Sequence, residues 1–218
     1  MTILLIGNSK GGVGKSTLAI QIAISRALTG REVLLVNADR QRSSEDAIAQ
    51  RGEAEILPAI AICSYTEGRV LRTQVLHQRD KYDDIIIDAG GRDSSALRAA
   101  MTIADVMLVP YAPNTFDVWA LEELAELINE VQGVREKLLP IHAVLNLADP
   151  NRTSRDNAEA REAIADIPQL QYLDTPIVRR KAYSNASGFG LHVSEMKVKN
   201  VKAIDEIETL VQYLFDPE

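Results

Sequence analysis

The chain has 218 residues, 46% of them hydrophobic, enough apolar material for one core of ordinary α/β size. A net charge of −7 excludes a surface that is basic all over, though it leaves room for a local cationic patch. A single cysteine, Cys63, excludes a disulfide framework and any cluster held by several thiolates of one chain. No basic, apolar and small-residue series opens the sequence, and no apolar run approaches the length of a membrane span, so a cytoplasmic protein is expected.

In chain order, short apolar runs alternate with longer amphipathic ones, the pattern of βα units and a mostly parallel, twisted sheet with helices on both faces. Strands are predicted at 2–7, 33–38, 58–63, 84–88, 105–110, 141–147 and 170–174. Cys63 falls in the third of these and reads as a buried strand thiol. Between the first two strands a helix is expected from Ser16, with Gly30 at its C-terminal cap. The stretch 114–132 has Leu121, Leu124, Ile128 and Val131 on one face and reads as an amphipathic helix. A last helix is expected near 200–215. No repeat or second-domain linker is evident, so residues 1–218 are expected to form one domain. The first strand begins at once, which argues against a preceding helix-turn-helix domain.

The chemistry concentrates where strands end, because ligands of open α/β sheets bind there. After the first strand comes Gly7-Asn8-Ser9-Lys10-Gly11-Gly12-Val13-Gly14-Lys15-Ser16-Thr17. Glycines let successive backbone N–H groups turn inward, and the following helix N-terminus adds partial positive charge. This is a phosphate cradle, with Gly11, Gly12, Val13, Gly14, Lys15, Ser16 and Thr17 as nucleotide contacts. Lys15 would reach the β/γ-phosphates and Ser16 would ligate Mg²⁺. Lys10 is a second lysine inside the loop, and its like charge calls for more than one negative group nearby.

Asp88 follows three isoleucines and precedes Gly90 and Gly91. A carboxylate there is placed to hold Mg²⁺ through water, and the glycines allow close approach to a γ-phosphate. Asp39, after the second strand, reads either as the group that orients an attacking water or as a turn or N-cap aspartate before Ser43-Ser44-Glu45. Asn146 either reads a base edge or caps the loop that follows it.

Together these residues resemble the ParA/MinD family of dimeric ATPases, which carry a deviant Walker A loop in a P-loop NTPase fold. The family pattern, Lys-Gly-Gly, any residue, Gly-Lys and two Ser/Thr, runs unbroken from Lys10 to Thr17. The resemblance implies ATP and Mg²⁺ as ligands and a sandwich homodimer in which Lys10 reaches the partner's nucleotide. By the same match Lys10, Lys15 and Asp39 serve hydrolysis, Ser16 and Asp88 the metal, and Thr17 the α-phosphate side. One departure stands out. The family's Asp, any residue, Asp-Pro-Gln reads Asn37-Ala38-Asp39-Arg40-Gln41 here, which bears on the Mg²⁺ shell and the hydrolysis rate.

Within the family, a lone cysteine excludes the nitrogenase-type iron proteins, and the acidic ending Asp216-Pro217-Glu218 argues against lipid docking of the MinD kind. Tyr213 alone is no tyrosine cluster. Residues 176–202 carry Arg179, Arg180, Lys181, Lys197, Lys199 and Lys202 against only Glu195, a net of +5 on an acidic chain. These are candidate DNA contacts, with solvated helix-flanking lysines as the plainer reading. The function expected is that of a small ParA-type plasmid partition ATPase. It would be nucleoid-associated through non-specific DNA binding, slow in ATP hydrolysis, and stimulated by a ParB-like adaptor. Alternatives are positioning of another cargo (a carboxysome, a chemoreceptor array, a transfer-DNA complex), a weakly hydrolysing switched scaffold, or a metabolic P-loop enzyme.

Overall fold

In a computed structural model, residues 1–91, 93–151 and 153–215 are described, the side chains of 115–119 excepted. Residues 216–218, on which the expectation against lipid docking rests, lie outside the described residues.

Seven strands form one sheet: β1 (Thr2–Ile6), β2 (Val33–Ala38), β3 (Ala61–Ser64), β4 (Asp84–Ala89), β5 (Val106–Tyr111), β6 (Ile141–Ala148) and β7 (Gln171–Val178). Their order is β3-β2-β4-β1-β5-β6-β7, and every pairing is parallel. The helices are α1 (Lys15–Leu28), α2 (Ser43–Glu53), α3 (Gly68–Gln78), α4 (Ser95–Ile103), α5 (Thr115–Gln132), α6 (Arg155–Ala165), α7 (Lys181–Gly188) and α8 (Val201–Phe215).

Continuous runs such as Ile85-Ile86-Ile87 are buried on both sides, as strands covered on two faces must be. One apolar cluster joins the sheet to α3, α4, α5 and α6. The other joins it to α1, α2, α7 and α8. Below α1, buried Asp84 takes Arg26 Nε at 2.7 Å, and that guanidinium stacks 4.2 Å above Phe215.

Two strand boundaries differ from the sequence expectation by more than one residue. The third strand begins at Ala61 rather than 58, because the Pro58 carbonyl is taken by Arg51 Nε (2.8 Å) and the stretch before it wraps onto α2. The seventh runs on to Val178, past Pro176, through register shifts that let Ile177 and Val178 pair with Asn146 and Ala148.

Candidate functional site

The loop after β1 is built by Asn8, a residue that no motif in the sequence singles out. Asn8 is fully buried; its Nδ2 donates to Pro110 O (2.8 Å), and its Oδ1 accepts the Lys10 N–H (3.0 Å). The side chain therefore ties the loop's start to β5. Ser9 Oγ donates to Ala120 O (3.0 Å), a second tether. Gly14 then turns with φ +88° into α1, which begins without a side-chain cap. An anion is favoured at this helix N-terminus.

Behind the loop stands Asn146, only 3% exposed, whose Nδ2 donates to Val13 O at 2.7 Å. This bond ties β6 to the loop's own backbone. In front, Gly91 packs so closely that a Cβ there would lie 2.9 Å from Gly11 N. Lys15 is 6% exposed, and its Nζ donates to Lys10 O at 2.6 Å, folded across the mouth of the loop.

A cleft of about 780 Å³ opens here, with Lys15, Ser16, Asp39, Gly90 and Gly91 on its walls. Beside Ser16, Ser44 and Lys15 is buried Asp88, 1% exposed, with neither carboxylate oxygen meeting a donor at hydrogen-bonding geometry. Burial pushes its carboxyl up to about 6, while the Ser16 and Ser44 hydroxyls and the Lys15 charge beside it pull the other way. Ser44 Oγ is also buried and unpartnered. An orphaned carboxylate beside an alcohol, at the foot of a phosphate cradle, fits hydrated Mg²⁺, which keeps its waters and takes few protein ligands. Among the described residues no three carboxylate, imidazole or thiol groups converge as a self-sufficient metal cage. The donor set suits an ion held partly by phosphate.

Asp39 projects from the loop after β2 toward Gly90, where a Cβ would lie 3.1 Å from its carboxyl carbon. Its Oδ1 accepts the Gln41 N–H (3.1 Å). Asn37 turns toward the Asp39 backbone, Ser64 and Glu45. Arg40 lines the cleft and is exposed.

The cationic candidates divide. Arg180 is half-buried and paired with Glu206, its Nη2 2.5 Å from Oε1. Arg179, Arg180 and Lys181 border a small cavity of about 190 Å³ behind Gly14 and Asn146, beside the loop. Lys197, Lys199 and Lys202 are exposed, and Lys199 reaches back to Ser194 O. A second cationic concentration is formed by residues that net charge along the sequence does not bring out. Arg69, Arg72 and Arg79 project from α3 and its end into a groove of about 990 Å³ on the opposite side of the sheet, which also holds Arg135, Asp105, Glu136 and Arg98 paired with Asp93 and Glu130. Helical spacing of 69, 72 and 79 is the signal that could have found it.

A parallel sheet with a glycine-rich strand-to-helix loop, a buried lysine and a carboxylate at the next strand end defines a P-loop nucleotide-binding protein. The family described as CobQ/CobB/MinD/ParA nucleotide binding domain matches residues 4–193, and the chain belongs to it. It is 26% identical over 219 residues to a protein named ParA from Rhizobium radiobacter, covering 99% of this chain and 96% of that one. It is 30% identical over 203 residues to "Maintenance of carboxysome distribution protein A" from Gloeobacter kilaueensis, covering 92% and 87% respectively. The ATP complex of an McdA variant from Cyanothece superposes with a TM-score of 0.80 at 18% identity, covering 97% of this chain and 95% of that one.

Proposed function

We propose that this chain is an ATP-dependent partition ATPase that dimerises around ATP and Mg²⁺, binds DNA without sequence preference and is reset by hydrolysis. The observation that carries the reading is the Lys10–Lys15 pair in a cradle closed by Asp88 and Gly91. Two lysines in one loop suit two nucleotides facing each other across a pair of chains. Lys15 holds the β/γ-phosphates, the N–H groups from Gly11 to Thr17 bind phosphate oxygens, and Asn146 keeps the loop in shape. Ser16 and Asp88 hold the ion, which when bound neutralises charge on the β- and γ-phosphates. Asp39 orients the attacking water, and Lys10 offsets charge developing on the partner's γ-phosphate. The protein acts as one domain over 1–218, in the cytoplasm, on the nucleoid. No described helix is long and apolar enough to cross a membrane.

Similarity over most of the chain to proteins named ParA, one of them a chromosome partitioning protein, supports a genetic cargo. The 30% identity to a carboxysome distribution protein supports a second reading, the same cycle serving another cargo. Binding to a random-sequence duplex, measured with ATP, with ADP and across a salt series, tests the shared core of both. Tight binding only with ATP, with a steep negative salt slope, is expected; nucleotide-independent binding or a flat slope overturns DNA tethering. The product of the adjacent gene, added to the turnover assay, separates the cargoes: a DNA-binding adaptor that stimulates hydrolysis supports partition.

A further inference from the structure

Asn37 is the penultimate residue of β2 and is 1% exposed. Its neighbours in register are Ser64 on β3 and Asp88 on β4. Its Oδ1 accepts the Asp39 N–H at 3.0 Å, and its Nδ2 lies 2.9 Å from Asp39 O. One side chain thus grips both backbone polar groups of Asp39. The same Nδ2 faces Ser64 Oγ at 3.0 Å and Glu45 Oε1 at 3.3 Å. The other Glu45 oxygen is held by Arg42, the left-handed residue that starts α2. The turn from β2 into α2 is therefore closed by a chain from Ser64 through Asn37 and Glu45 to Arg42, with Asp39 inside it.

We infer that Asn37 and Glu45 form a positioning pair that aims the Asp39 carboxylate into the cleft. This rests on the reading that Asp39 orients the hydrolytic water, and it names the groups that hold Asp39. The chemistry at 37 is specific to an amide. A carboxylate of the same shape accepts the Asp39 N–H equally well, but it presents an oxygen where three oxygens already sit. Ser64 can rotate its hydroxyl to donate; the Asp39 carbonyl and Glu45 cannot. A carboxylate at 37 thus sets like charge against Glu45 and leaves the Asp39 carbonyl without its donor, so the turn must move. The aspartate expected at 37 from the family pattern is consequently incompatible with Glu45 in this chain. Glutamine at 45 restores a donor to the pair with little change in volume.

The test is steady-state ATP turnover of the full chain with saturating Mg-ATP and duplex DNA, for wild type, Asn37→Asp, Glu45→Gln and the double variant. Asn37→Asp is expected to lower kcat by roughly 100-fold, the scale set by an ångström of misplacement in a reacting group. The KM for ATP should move less than about 3-fold, since the phosphate loop is untouched. Glu45→Gln in the Asn37→Asp background should recover at least about 10-fold of the lost kcat. A merely structural role would lower the active fraction or move KM instead. Wild-type kcat in Asn37→Asp overturns the inference, as does a double variant no faster than Asn37→Asp. If wild type itself hydrolyses no ATP, the ATPase reading fails, and the pair is judged by thermal unfolding of the four proteins. A smaller loss from Asn37→Asp when Glu45 is glutamine then supports the pair, and additive losses overturn it.

Discussion

A Cβ at Gly14 would lie 2.3 Å from Nδ2 of Asn146, the same nitrogen that donates to Val13 O. The phosphate loop is thus fitted against a side chain 133 residues beyond Val13, and Gly14 is needed for close approach as well as for its positive φ. Gly14→Ala is expected to abolish nucleotide binding. Asn146→Ala leaves Val13 O unpaired in a buried place, worth about 1–3 kcal/mol. Calorimetric titration with Mg-ADP should show affinity falling by roughly 10-fold or more.

The two lysines of the loop should separate by assay. Lys15→Ala removes charge-assisted bonds to phosphate and should weaken ATP binding by about 10- to 100-fold in the monomer. Lys10→Ala should bind ATP nearly as wild type does and fail to dimerise, as read by sedimentation with ATP. A Lys10→Ala protein that still forms the ATP dimer would show that this lysine does not act across the seam.

Asp88 and His192 oppose each other in acid. The folded pKa of Asp88 is raised to about 6, so the nucleotide-free protein loses stability from this group as pH rises from near 4 to 6. Burial holds the His192 imidazole down at about 4, so that group's contribution is present above its ordinary value of 6.5 and is lost as pH falls toward 4. The two slopes run against each other over the same window. Asp88→Asn should expose the His192 slope: higher melting temperature than wild type at pH 7.5, with a steeper fall toward pH 4. His192→Asn, which keeps an acceptor for the Ser194 N–H, should show the reverse.

Arg51 joins the helix behind Asp39 to the segment that leads into the C-terminal lysines. Its side chain is buried, donates to Pro58 O and Gly190 O, and meets both oxygens of Glu195 at 2.9 and 3.0 Å. Arg51→Met strands a largely buried carboxylate, at a cost of about 3–5 kcal/mol. A melting temperature lower by on the order of 10 °C is expected for a chain of this size.

The two cationic surfaces can be told apart by salt. Lys197→Ala, Lys199→Ala and Lys202→Ala combined should flatten the salt dependence of DNA binding by about 1 for each phosphate those lysines neutralise. Arg180→Ala should leave that slope alone and lower stability, since Arg180 belongs to Glu206. If Arg69→Ala with Arg72→Ala flattens the slope instead, DNA lies on the α3 face.

The strands were legible because buried parallel strands are written as unbroken apolar runs, and the phosphate loop because all its groups are consecutive. Asp88 could be read from its place after Ile85-Ile86-Ile87. The boundaries at Ala61 and Val178 were not legible, since they depend on the Arg51 bond to Pro58 and on the pairing offset with β6.

The sequence by itself determined the class of fold, the cradle from Gly11 to Thr17 and the carboxylates at 39 and 88, since local pattern is enough to specify each. Only the tertiary structure decided what holds them. Asn8 bonds to β5, Asn146 to Val13 and Gln21 to the 187–193 turn, through partners 102 to 172 residues away. It also paired Arg180 with Glu206 and turned Asn37 toward Glu45. A buried polar side chain takes whatever partner folding brings within about 3 Å, and no spacing along the chain encodes that choice.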